Sequence, residues 1–106
     1  MISQERLQKA LGYLAETDQE FARTKAYSNA LSEQRKTVKA QCYLSAAGTG
    51  GERSEKAYAH NNYIEHLVKM HDAELEYETL RNKRLTESTI IEVWRSLNAA
   101  RRAGQI

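Results

Sequence analysis

Leucines and a phenylalanine return at Leu7, Leu11, Leu14 and Phe21, with Asp18 in the same row, at steps of three and four residues. That spacing is the repeat of one helix face. The row thins through Ala22, Ala26 and Ala30 and resumes at Leu31, Val38 and Cys42. A second row runs through Ile64, Leu67, Met70, Tyr77, Leu80, Ile91, Trp94 and Leu97. No stretch alternates with the period of two that marks a strand. Between the rows lies "SAAGTGGERSEK", residues 45 to 56, which holds Gly48, Gly50 and Gly51 of the chain's five glycines. The pattern predicts a helix over 4–47, a turn over 48–51 and a second helix over 52–103. Ser3 is placed to cap the first helix. Gly48 and Gly104 fall where a left-handed residue ends a helix. Asn62 followed by Glu65 reads as a capping box, which predicts a kink near 60–63.

A turn this short sends the second helix back antiparallel to the first. With the bend near 49 to 50, opposed positions add to about 99 in such a hairpin. Glu16, Asp18 and Glu20 then meet Arg81, Lys83 and Arg84, and Glu5 meets Arg95. Phe21 falls beside Tyr77 and Leu80, and Leu7 beside Ile91 and Trp94. Each exposed ion pair contributes only tenths of a kcal/mol, so these charges matter for register rather than stability. The expectation is one all-α domain over residues 1–106, a long, coiled-coil-like antiparallel helical hairpin. Its assembly and core residues are Leu7, Leu11, Leu14, Phe21, Leu67, Tyr77, Leu80, Ile91, Trp94 and Leu97.

Composition supports long helices: proline is absent, and glutamate, lysine, arginine, alanine, leucine and glutamine are abundant. Sixteen basic and 14 acidic side chains leave +2, too small a surplus to imply a nucleic-acid or membrane partner. The single cysteine, Cys42, excludes an internal disulfide and a cysteine-rich zinc site. No apolar run nears the roughly 20 residues that span a bilayer, and "MISQERLQKA" lacks the apolar core of a signal peptide. A cytoplasmic setting without membrane contact is therefore expected. A hairpin of two helices buries one stripe on each, and a small scaffold without metal or disulfide generally gains its stability by association. A homo-oligomer is expected, most simply a two-fold dimer that forms a helical bundle.

The glycine segment does not meet the needs of a phosphate loop, which requires wider glycine spacing, a lysine and a preceding strand. His66 and His71 stand five residues apart, about 140° around a helix, so they do not share a metal-binding face. No cofactor, metal or catalytic residue is expected, and the reading is non-enzymatic. Tyr27, Tyr43 and Tyr58 fall off the two rows and suggest a partner surface. Arg95, Arg101 and Arg102, beside Trp94, offer an alternative reading as sequence-indifferent nucleic-acid contacts.

The segments "AYAHNNYIEHL", "EYETLRNKR" and "IIEVWRSLNAARRAGQI" resemble those of small phage- and prophage-encoded helical proteins from early, recombination-type gene regions. The likeness covers roughly residues 50 to 106 and carries no active-site residues. Asn61-Asn62 departs from it, standing where a proline-containing turn is expected. The resemblance implies an accessory role in a bacterial host's cytoplasm, through self-association and protein binding, in phage DNA recombination or replication or in host takeover.

Overall fold

The computed structural model describes residues 2–104. The "GQI" end of the resemblance therefore lies outside the described residues beyond its glycine. The fold is all-α: α1 spans Gln4–Ser45, α2 spans Gly50–Ala59 and α3 spans Asn61–Arg102. Ser3 caps α1 as expected, its Oγ accepting the Arg6 amide at 3.0 Å. Helix α1 then runs without a break through Gly12 and through the Ser28-Asn29 pair.

The turn is built differently from the expectation of one glycine-rich bend. Of its three glycines only Gly48 takes a positive φ, 119°. Thr49 then caps α2, accepting the Glu52 amide at 3.3 Å, and Gly50 and Gly51 form the first turn of that helix. Helix α1 ends at Ser45, two residues before the expected 47, and has no cation in its own last turn. Cations from α2 serve instead. Arg53 Nε donates to the Tyr43 carbonyl at 3.3 Å, and Lys56 Nζ donates to the Ala47 carbonyl at 2.7 Å. Arg53 adds a second donor to the Tyr43 carbonyl, which also accepts the Ala46 amide at 3.2 Å, and Lys56 supplies a donor to a carbonyl of the turn just past the helix end.

The second break falls at His60, whose ψ of 136° is extended. Its carbonyl accepts the Ile64 amide at 3.1 Å and its Nδ1 accepts the Asn62 amide at 3.0 Å. His60, not Asn62, therefore caps α3, and both asparagines are already helical. Gly104 closes α3 with φ 76°.

The described residues group into two compact units. In the unit from Arg23 to Tyr77, Leu31 packs with Met70 and Ala73, and Cys42 with Ala57 and Tyr63. The His66 imidazole donates from Nε2 to the Leu31 carbonyl at 2.7 Å, a buried link between α1 and α3. In the unit formed by the chain up to Ala22 with the chain from Glu78, Arg84 donates to the Leu14 carbonyl at 2.9 Å and to Thr17 Oγ1 at 2.6 Å. Arg6 pairs with Glu87. Within each unit, later positions on α1 meet earlier positions on α3, so the helices are antiparallel with the register expected of a turn near 49.

The buried face of α1 is not the row read from the sequence. It runs through Leu7, Ala10, Leu14, Thr17, Phe21, Thr24, Ser28 and Leu31, a heptad of alternating three- and four-residue steps. Leu11 is 45% exposed and Asp18 faces solvent. Leu11 therefore leaves the set of core residues. Ala10 and Thr17 take the seam because small side chains let two helices approach closely. On α3 the corresponding heptad is Tyr63, His66, Met70, Ala73, Tyr77, Leu80, Arg84, Glu87, Ile91 and Trp94. Leu7 is buried; Leu14, Phe21, Leu67, Tyr77, Leu80, Ile91, Trp94 and Leu97 are partly buried.

Candidate functional site

Polar groups that sequence reading puts at the surface turn out to hold the seam. Arg84 lies with its guanidinium 4.9 Å from the Phe21 ring centroid and reaches Asp18 Oδ1 at 3.3 Å. Of the charge pairs expected across the hairpin, Arg84–Asp18 forms. Arg81 and Arg95 instead pair within α3, with Glu78 at 3.7 Å and Glu92 at 3.2 Å. Glu5 is therefore not the partner of Arg95. A residue three positions away on the same helix is always within reach, whereas a cross-hairpin partner must be brought there by packing.

The residues outside the seam define three surfaces. The first is at the turn end of the Arg23–Tyr77 unit. A groove of about 430 Å³ is lined by Lys36, Lys39, Ala40, Tyr43 and Leu44 of α1 and Ser54 of α2. Leu44 is 72% exposed. The Lys39 ammonium donates to the exposed Tyr58 hydroxyl and lies 3.8 Å from the centre of its ring. That hydrogen bond, then the charge of Lys39 and, more weakly, of Arg35, holds the Tyr58 phenol below its ordinary value of 10.0. The ring of Tyr58 meets that of Tyr63 edge-on at 5.7 Å. Arg53 covers Tyr43 at 4.6 Å. Two of the three tyrosines expected to form a partner surface, Tyr43 and Tyr58, are thus brought to one place. Tyr27 lies sixteen residues before Tyr43 on α1, about 24 Å along the axis.

The second surface belongs to α3 in the same unit. Ile64, Val68 and Leu75 are 46%, 54% and 68% exposed. They share a helix face with His71, turned away from the seam residues Tyr63, His66, Met70 and Ala73. Glu65 and Asp72 flank the row on one side and Glu74 on the other. In the other unit, Leu85, Thr89 and Val93 make a comparable outward row beside a groove of about 400 Å³.

The third surface is a cleft of about 390 Å³ near the free ends of α1 and α3, lined by Ile2, Ser3, Gln4, Trp94, Leu97, Asn98 and Arg101. It takes in one of the three arginines proposed as nucleic-acid contacts. Arg95 is engaged with Glu92, and Arg101 and Arg102 occupy the last turn of α3, where cations complement the helix dipole. Among the described residues no group of three or more histidine, cysteine or acidic side chains is placed to hold a metal ion. Cys42 is buried in the seam. Among those residues, no helix is long and apolar enough to cross a membrane.

The outward rows were hidden from sequence reading by mixture. Ile64, read from the sequence as the first residue of the second row, is 46% exposed and yields its place in the seam to Tyr63, and Val68 and Leu75 are separated by polar His71. Subtracting the seam heptad first leaves them as the second apolar face of α3. Comparison with known protein families, characterised proteins and solved structures found no match to this chain.

Proposed function

We propose that this chain is a non-enzymatic helical hairpin that self-associates and acts by binding protein. The observation that carries this reading is the outward row of Ile64, Val68 and Leu75 on α3. The seam already occupies one face of that helix, and a helix apolar on two faces has a second surface to cover. A thin interior supports the same reading. Among the described residues only Ala10 and Ala57 are shielded completely from solvent. A scaffold of this kind gains stability from a second layer of helices. Its resemblance to small phage-encoded proteins makes a bacterial cytoplasm the setting and an accessory role in phage DNA metabolism or host takeover the context.

Replacing Val68 and Leu75 together by serine removes the apolar row without adding charge. Self-association should weaken by ~tenfold or more, read by light scattering over a concentration series. The helical circular dichroism signal should persist, because neither side chain belongs to the seam. Unchanged association of the folded variant would remove the row from the interface.

A further inference from the structure

We infer that the groove at the turn end receives the acid-flanked apolar row of α3 from a second copy of the chain, and that two copies exchange this contact reciprocally. The inference rests on the self-association proposed above and names the surfaces that carry it.

The groove combines an apolar floor with a cationic rim. Ala40, Tyr43 and the outstanding Leu44 supply the floor, and Lys36 and Lys39 supply the rim. From Gln34 to Ser45 α1 carries three cations, Arg35, Lys36 and Lys39, and no acid. The nearby cations of α2, Arg53 and Lys56, are committed to the carbonyls of the turn, and the acids of α2 are Glu52 and Glu55. Tyr58 fixes Lys39 at the rim, so part of the entropy of ordering a lysine is already lost before any partner arrives. Such a site suits an apolar side chain with carboxylates beside it.

The same unit offers that complement on another element. Ile64, Val68 and Leu75 project from α3 with Glu65, Asp72 and Glu74 at their margins. Lys69 stands on the same side as Glu65 and Asp72 but farther round the helix from the row, and His71, within the row, lies 3.8 Å from Glu74, so the acids outnumber the cations at these margins. One surface is apolar with a positive rim and the other apolar with a negative one. Each repels its own kind and attracts the other, which orients the encounter. Two copies related by a two-fold axis satisfy both surfaces twice and close the assembly at a dimer.

Two charge-reversed chains test this. Lys36→Glu with Lys39→Glu puts acids on both surfaces of one chain. Glu65→Lys with Asp72→Lys puts cations on both surfaces of the other. Each variant alone should dissociate, its dissociation constant rising by ~tenfold or more, while circular dichroism confirms an unchanged helix content. Mixed in equal amounts, the two should form a heterodimer, because every groove then faces a row of opposite charge. Sedimentation velocity reads both outcomes. An unmodified chain that associates while both reversed variants associate equally well overturns this inference and leaves the self-association reading standing. So does a mixture of dissociated variants that stays monomeric. An unmodified chain that stays monomeric overturns both.

Discussion

Arg84 and His66 show how single polar side chains fix this hairpin. Both occupy heptad positions where an apolar residue is the usual choice, and both spend their donors on α1. A hydrogen bond that exists in one register only discriminates against slippage more sharply than leucine packing does. Arg84→Met keeps the stem and removes the donors to Leu14 and Thr17. It should lower stability by about 1–3 kcal/mol in urea unfolding. Arg81→Met, at a half-exposed site paired only within its own helix, should stay within about 0.5 kcal/mol. His66→Phe, which keeps a ring but loses the bond to Leu31, should cost about 1–2 kcal/mol. Neither role was readable in advance, because a lone arginine or histidine in a charged sequence gives no sign of facing inward until the heptad is known.

Tyr58 offers a spectroscopic check at the same scale. Its phenol ionises below 10.0 because Lys39 donates to it and lies close by with its charge. The difference in absorbance titration between the unmodified chain and Tyr58→Phe should show one tyrosine ionising early. Lys39→Met should return that step toward 10.0. The sign for stability follows. Between the lowered folded value and 10.0 the unfolded chain holds the extra proton, so this group favours folding increasingly as pH rises through that window. The contribution is complete above 10.0 and vanishes as pH falls through the folded value. An early step that survives Lys39→Met would separate the lowered value from this contact.

At the scale of elements, the ends of helices were partly legible. Ser3 and Gly104 act where their chemistry places them, whereas Gly48 takes a positive φ three residues past the end of α1 and His60 replaces Asn62 as the cap of α3. The interior seam was less legible, because reading by hydrophobicity prefers Leu11 and Asp18's row to Ala10 and Thr17. Alanine and threonine carry little apolar signal, yet they are the residues that permit close helix approach. The loop was half legible: its position followed from the glycines, but only one of them needs to be glycine for its φ. Gly48→Ala places a Cβ against Glu52 at φ 119° and should destabilise by about 1–3 kcal/mol. Gly51→Ala meets no atom within 4 Å in the first turn of α2 and should stabilise by about 0.4–1 kcal/mol. Thermal unfolding of the two variants separates a bend that needs one glycine from a bend that needs three.

At the scale of the whole molecule, the sequence carried the fold class and its register but not the surfaces. The antiparallel pairing followed from one short turn and from rows of matching residues on either side of it. The outward row on α3 and the groove beside Leu44 emerged only after the seam had been assigned, because both depend on which residues remain once α1 and α3 have packed. On the reading proposed here, those remaining surfaces, one rimmed by lysines and one by carboxylates, pair a thinly buried hairpin with a second copy. Sedimentation equilibrium of the unmodified chain, from low to high micromolar concentration, tests that most directly. A folded species of twice the 12.1 kDa chain mass is expected. A fully helical, cooperatively melting species that holds at 12.1 kDa across the range would contradict it.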